Sequence, residues 1–144
     1  MRALYVLNGP NLNRLGRREP EIYGSTTLAE VEAWCIEAAH PAEIVFRQTN
    51  AEYQLIDWIH EAIDKGAGIV INPAGFSFHS IPVLDALKMF QGPVFEVHLS
   101  NIHRRDALHQ HSIMSSVVTG VLAGLGPDGY RAAVEAMVRR LATG

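Results

Sequence analysis

Strand-like and helix-like segments alternate about five times along this 144-residue chain. Short runs rich in aliphatic and β-branched residues have the composition of buried strands, and they fall at 4–7, 43–47, 69–71, 94–99 and 117–125. Apolar residues at helical spacing fill most of the stretches between them, and parallel strands need such crossovers. The order predicts one α/β domain over residues 1–144, an open, doubly wound, five-stranded parallel sheet between two helical layers (α/β/α).

Two helix starts carry local signals. Thr27 is followed three residues later by Glu30, which is the capping-box pattern. Pro82 falls in the first turn of a later apolar-periodic run, so that helix is expected to begin at Ser77 or near Ser80.

Charge, hydropathy and cysteine content narrow the class of protein. The net charge of −3 provides no basic field for nucleic acid, and no apolar run is long enough to span a membrane. Asn8-Gly9-Pro10 interrupts the first apolar run, so it does not resemble a signal peptide. Cys35 is the only cysteine, which excludes an internal disulfide and argues against a thiolate metal site. A cytoplasmic protein without nucleic-acid or membrane partners is expected.

Three polar segments leave three of the predicted strands, at 8–23, 72–80 and 96–111. In open α/β sheets the functional crevice lies beyond the carboxyl ends of the strands. The three segments are therefore expected to meet there and form a site, although polar loops at strand ends can also be only loops.

The first polar segment, from about 9 to 24, is too long for an ordinary strand-to-helix connection and is typical of a lid or binding loop. Gly9 and Pro10 are expected to supply the φ angles of the turn that leaves the strand.

This segment also carries Arg17, Arg18 and Tyr23. A guanidinium beside a phenol favours the phenolate, which could act as a general base. The alternative is a solvated basic loop with a surface tyrosine.

The other two segments offer an acid and an oxyanion site. Alternation along the strand places Glu96 and His98 on one side, as an orienting carboxylate and a general acid or base, or as a structural ion pair. The Asn72 amide, with the backbone N–H groups of Ala74 and Gly75, could face a developing oxyanion, or could only form a turn.

No standard metal or phosphate motif is present in the sequence. The histidines at 98, 103, 109 and 111 match no zinc spacing, and the glycines at 9, 16 and 24 form neither GxGxxG nor a Walker loop. Neither a metal nor a cofactor is expected.

Several motifs together resemble the type II 3-dehydroquinate dehydratases, in order over nearly the whole chain. They are Leu7-Asn8-Gly9-Pro10-Asn11-Leu12, residues 15–24, Gln48-Thr49-Asn50, Ile71-Asn72-Pro73, Glu96-Val97-His98-Leu99-Ser100-Asn101-Ile102-His103 and residues 120–126. The resemblance implies a flavodoxin-like fold and trimers that usually form a dodecamer. It also implies cofactor-free elimination of water from 3-dehydroquinate, through an enolate, to 3-dehydroshikimate.

The resemblance implies a role for each matching catalytic residue. Tyr23, as a tyrosinate favoured by Arg18, would remove the proton beside the ketone. Asn72 would hold a water or the enolate oxygen. His98, oriented by Glu96, would protonate the departing hydroxyl.

Substrate binding involves further residues in the same resemblance. Asn11 would support the site, the Leu99 and Ser100 backbone would contact the substrate carboxylate, and Asp85 would reach the site of a neighbouring subunit. The remaining candidates for substrate binding are Ala74, Gly75, His79, Arg105 and His109.

Two positions depart from the family pattern. Phe78 stands where the family has a substrate-binding histidine, with His79 displaced by one residue, and His109 stands where the family usually has an arginine. Such changes alter substrate contacts. A dehydratase or isomerase of a related cyclic or polyhydroxy keto acid, or an inactive ligand-binding relative, therefore remain alternatives.

Overall fold

Five parallel strands alternate with helices in the computed structural model, which describes residues 2–17 and 20–143, without the side chains of residues 22 and 23. The strands are β1 (Ala3–Asn8), β2 (Ile44–Gln48), β3 (Gly66–Asn72), β4 (Val94–His98) and β5 (Gly120–Ala123). The helices are α1 (Pro20–Tyr23), α2 (Leu28–Ala39), α3 (Glu52–Lys65), α4 (Ile81–Met89) and α5 (Asp128–Thr143).

The strand order across the sheet is β2-β1-β3-β4-β5, with every neighbouring pair parallel. This is the order of flavodoxin-like sheets, which confirms the predicted fold. Because the order reverses between β1 and β3, the loops that leave those two strands diverge from adjacent positions. A crevice opens between such loops.

Two apolar cores flank the sheet. On one face Leu55 and Ile59 of α3 and Leu87 of α4 pack against the strands, and on the other face Val31 of α2 and Met137 of α5 do so. These side chains are almost fully buried, and each contributes on the order of 1.5–3 kcal/mol by leaving water. The three predicted layers are present. None of the described helices is both long and apolar enough to cross a membrane.

Both predicted helix starts are present. The Thr27 side chain accepts a hydrogen bond from the Glu30 N–H while the Glu30 carboxylate accepts one from the Thr27 N–H, so the capping box is complete. Ser80 is the N-cap of α4, because its Oγ accepts from the Val83 N–H at 3.2 Å. The alternative start at Ser77 is wrong.

The last strand is shorter than the predicted run 117–125. The N–H of Val117 donates to the Met114 carbonyl and closes a 3₁₀ turn, so Val117 is not available to a strand ladder. At the other end Gly124 has φ +88°, which bends the chain out of the strand before Leu125. Apolar content alone did not distinguish the buried turn from the strand.

Gly9 has a different role from the predicted one. Its φ lies outside the left-handed region, but a Cβ there would come within 2.4 Å of the Pro73 carbonyl oxygen. The Gly9 N–H also donates to the Asn72 carbonyl at 2.8 Å. Glycine is needed because the loops that leave β1 and β3 touch.

Candidate active site

A cavity of about 170 Å³ lies beyond the carboxyl ends of β1, β3 and β4. All three polar segments predicted to meet there contribute to its wall. Nine of the predicted site residues line it, namely Asn11, Asn72, Ala74, Gly75, His98, Leu99, Ser100, Arg105 and His109.

Glu96 and His98 form a buried pair, in which His98 lines the cavity and Glu96 lies behind it. Their side chains are 0% and 4% exposed, and His98 Nε2 lies 2.5 Å from Glu96 Oε2. An ionised carboxylate can only accept hydrogen bonds, so this contact requires the proton on Nε2. The other ring nitrogen, Nδ1, is then the one that can exchange a proton with a bound molecule. The predicted orienting contact is present.

Two serines that the sequence reading missed also bind Glu96. Ser112 Oγ donates to Oε2 at 2.5 Å and Ser115 Oγ donates to Oε1 at 2.7 Å. Burial alone would raise the pKa of Glu96, but the hydrogen bonds from His98, Ser112 and Ser115 outweigh it and hold that pKa below its ordinary value. No pattern in the sequence connects these serines to a carboxylate on another element.

The lowered pKa of Glu96 has a consequence in acid. We expect Glu96→Gln to lower the free energy of unfolding near neutral pH by about 1–3 kcal/mol, because its amide nitrogen would face hydrogen-bond donors. A carboxylate with a depressed folded-state pKa stabilises above its unfolded pKa, and this contribution is lost as pH falls through the folded value. The advantage of wild type over E96Q should therefore shrink below the ordinary pKa of 4.5. Urea denaturation between about pH 6 and pH 3 measures the difference in free energy of unfolding between wild type and E96Q. A difference that stays constant over this pH range would contradict ionisation of Glu96.

The amide of Asn72 is held at the cavity by two hydrogen bonds. Its Oδ1 accepts from the Ala74 N–H at 3.1 Å, and its Nδ2 donates to Tyr130 Oη at 2.9 Å. Asn11 (φ 72°) and Ala74 (φ 52°) are the non-glycine residues with left-handed backbone among those described, and both line the cavity. Such conformations cost on the order of 1 kcal/mol and concentrate at functional sites.

A buried polar network extends behind Asn72. Tyr130 Oη donates to Asn8 Oδ1 at 2.7 Å, and Asn8 Nδ2 donates to the Arg47 carbonyl at 3.1 Å. Asn8 and Asn72 are register partners at the ends of β1 and β3, and the two polar segments that they begin were predicted to meet. Tyr130 was not predicted at the site, because it lies on the apolar face of α5 like a core residue.

The two departures from the family pattern meet in the cavity wall. The rings of Phe78 and His109 pack edge to face with centroids 5.2 Å apart. Asp106 Oδ1 lies 2.6 Å from His109 Nδ1, and this hydrogen bond lowers the pKa of the Asp106 carboxyl. Arg105 lines the cavity beside them. No carboxylate from the described residues lines the cavity, which suits an anionic ligand.

Five of the predicted site residues are not placed in the cavity wall, and one of them is Glu96, which bonds to His98 from behind that wall. His79 and Asp85 are exposed and do not line it. Arg18 and the side chain of Tyr23 lie outside the described residues. The predicted base therefore stays a prediction, as does the contact of Asp85 with a neighbouring subunit.

Metal ligation has no support among the residues that the structure describes. Within residues 2–17 and 20–143 no three His, Cys, Asp or Glu side chains cluster closely enough to hold an ion. The part of the cavity wall that the structure describes offers His98 for proton transfer and the Asn72 amide for hydrogen bonding.

Comparison with known proteins identifies a family to which the chain is similar. The sequence profile described as Dehydroquinase class II matches residues 2–138. A protein of Agrobacterium fabrum named 3-dehydroquinate dehydratase 2 is 54% identical over 140 residues, covering 96% of this chain and 95% of that protein. The 3-dehydroquinate dehydratase of Streptomyces avermitilis is 54% identical over 144 residues, covering 98% of this chain and 91% of the relative.

Solved structures lead to the same family. The crystal structure of the type II dehydroquinase from Propionibacterium acnes superposes with a TM-score of 0.92 at 44% identity, covering 96% of this chain and 97% of that chain. A 3-dehydroquinate dehydratase-like protein from Bifidobacterium longum superposes with a TM-score of 0.73 at 29% identity over all of both chains. The chain therefore belongs to the class II dehydroquinase family.

Proposed function

We propose that this protein is a 3-dehydroquinate dehydratase, a hydro-lyase that removes water from 3-dehydroquinate to give 3-dehydroshikimate without a cofactor. The observation that carries the proposal is the buried Glu96–His98 pair facing a cavity that Asn72 also lines. Membership of the family and the names of the relatives supply the substrate.

The proposed reaction proceeds in two proton transfers. Tyr23, as a tyrosinate favoured by Arg18, takes the proton from the carbon beside the ketone, and the electron pair moves onto the ketone oxygen as an enolate. The Asn72 amide, directly or through a water, stabilises that oxygen. The enolate then collapses, the carbon–oxygen bond to the hydroxyl breaks, and His98 gives the leaving hydroxyl its proton so that water departs.

The substrate carboxylate is proposed to bind at the end of β4. Leu99, Ser100 and Arg105 line the cavity, and we propose that the backbone N–H groups of the first two bind the carboxylate while the Arg105 guanidinium adds a positive charge. Asn11, Ala74, Gly75 and His109 complete the wall within reach of the ring. Substrate contacts by His79 and Asp85 rest on the family resemblance alone.

Steady-state turnover of the purified protein on 3-dehydroquinate tests the proposal. We expect rapid formation of the conjugated enone product, measured by its ultraviolet absorbance, with kcat in the range of about 1–10³ s⁻¹ that is usual for enzymes. A folded protein without turnover would reject the proposal.

The pairing of Phe78 with His109 favours a second candidate, a dehydratase or isomerase of a related cyclic or polyhydroxy keto acid. A phenyl ring cannot hydrogen-bond a hydroxyl that a histidine would bind, so the preferred ring substituents would change. If 3-dehydroquinate is not turned over but a related keto acid is, this second candidate replaces the first. An inactive ligand-binding relative would turn over neither.

The assembly, the lid and the location are further parts of the proposal. The assembly is proposed, from the family resemblance, to consist of trimers that form a dodecamer, and exposed apolar side chains such as Val121 and Leu125, 43% and 55% exposed, are available for such contacts. The single domain would close over its substrate with segment 9–24, and Asn11, Leu12 and Leu15 of that segment already line the cavity.

The lack of a second cysteine suits a cytoplasmic location.

A further inference from the structure

We propose that Tyr130 is a positioning residue that fixes which way the Asn72 amide faces in the cavity. The hydroxyl of Tyr130 lies between two asparagines that end neighbouring strands, and it bonds to both. The positioning follows from the geometry alone, whereas its effect on catalysis rests on the proposed function.

The four hydrogen bonds of the network run in one direction. Asn8 donates to the Arg47 carbonyl, Tyr130 donates to Asn8, Asn72 donates to Tyr130, and the Ala74 N–H donates to Asn72. The backbone groups at the two ends cannot change roles, because a carbonyl only accepts and an N–H only donates. The direction of every bond between them is therefore determined.

This direction sets the chemistry that Asn72 offers to a ligand. A carboxamide has two N–H donors, and Tyr130 takes one of them. The second donor remains on the side chain that lines the cavity. If the amide were reversed, its oxygen would meet the Tyr130 hydroxyl and its nitrogen would meet the Ala74 N–H, which would pair two donors. Tyr130 and Ala74 thus present Asn72 as a donor for an oxyanion.

The surroundings of Tyr130 keep it a neutral hydroxyl. Tyr130 is 0% exposed, and burial raises the pKa of its phenol far above the ordinary value. It does not line the cavity, whereas Asn72, which donates to its hydroxyl, does. Its effect on a reaction must pass through Asn72.

Tyr130→Phe removes the hydroxyl and keeps the ring, and Tyr5→Phe is the matched control. Tyr5 is also buried, at 2% exposure, and its hydroxyl donates to Glu61 at 2.6 Å in the core on the opposite face of the sheet. Both variants should fold, and Y130F should lose more thermal stability, because it leaves polar atoms of the buried Asn8 and Asn72 unpaired, whereas Glu61 is 30% exposed and keeps its ion pair with Arg47. Only Y130F should lose kcat, by about 10- to 100-fold with KM little changed, because a misaligned donor fails in the transition state. Equal kcat in both variants would overturn the catalytic effect.

Nuclear magnetic resonance of the side-chain amides tests the positioning without any turnover. The resonances of the two Asn72 Nδ2 protons are identified by their loss in Asn72→Asp. Their chemical shifts should change in Y130F and stay unchanged in Y5F. Unchanged Asn72 signals in Y130F would refute the proposal. If wild type does not turn over 3-dehydroquinate but the signals move as expected, the proposed function fails and the positioning stands. If Y130F does not fold, a nuclear Overhauser contact between the Tyr130 ring and the Asn72 Nδ2 protons in wild type tests the same bond, and its absence would refute the proposal.

Discussion

Replacing His98 by alanine should reduce kcat for dehydration of 3-dehydroquinate by about 10³- to 10⁴-fold, the upper part of the range for loss of a general acid. The hydroxyl would have to leave without a proton from His98, and the described residues of the cavity wall hold one other imidazole, that of the half-exposed His109. Enolate formation does not need His98. In deuterium oxide, H98A should therefore still exchange the proton beside the ketone while dehydration stops, as proton magnetic resonance of the substrate would record.

Two further variants distinguish the loss of the general acid from a loss of structure around it. His98→Gln can still donate to Glu96, so it should be more stable than H98A and equally inactive. His60→Ala, at an exposed position on α3, should leave kcat unchanged. Dehydration at the wild-type rate in H98Q would contradict the assignment of His98 as the acid.

The fold was readable from the sequence because its signals are local. Buried parallel strands such as β3 are continuous apolar runs, and their helices carry periodicity and caps such as Thr27 and Ser80. The start of β5 was wrongly predicted for a reason that is not local. Residues near Val117 are apolar because they pack on the core, and whether an apolar residue is buried in a strand or in a turn depends on the elements around it.

The same distinction applies to the site, where local patterns predicted some residues and not others. Glu96 and His98 were predictable because two residues on one strand share a side, and Asn72 because it follows a buried strand. Ser112 and Tyr130 were missed because they reach the site from distant elements. Their roles consist of hydrogen bonds between residues 16 and 58 positions apart in the chain, and no spacing rule describes those.

Tyr23→Phe should abolish both exchange of the proton beside the ketone and dehydration, whereas H98A should abolish only dehydration. We expect kcat to fall by about 10³-fold or more, because a phenyl ring cannot accept a proton and acid–base groups contribute up to about 10⁴-fold. Exchange of the substrate proton with deuterium oxide should stop as well, in contrast to H98A. Substrate affinity, measured by calorimetry, should change little, because the phenol oxygen is proposed to act on the proton rather than to bind the ground state.

Tyr53→Phe is the matched control, since Tyr53 is 71% exposed on α3 and its loss of a hydroxyl should leave both rates unchanged. Y23F and its control Y53F also distinguish between the alternative functions. If Y23F binds 3-dehydroquinate but neither exchanges nor dehydrates it, while wild type does both, Tyr23 is the base and an inactive ligand-binding relative is excluded. If Y23F still exchanges the proton at the wild-type rate, another group is the base. His109 then becomes a candidate base, since it lines the cavity and its Nδ1 is held by Asp106.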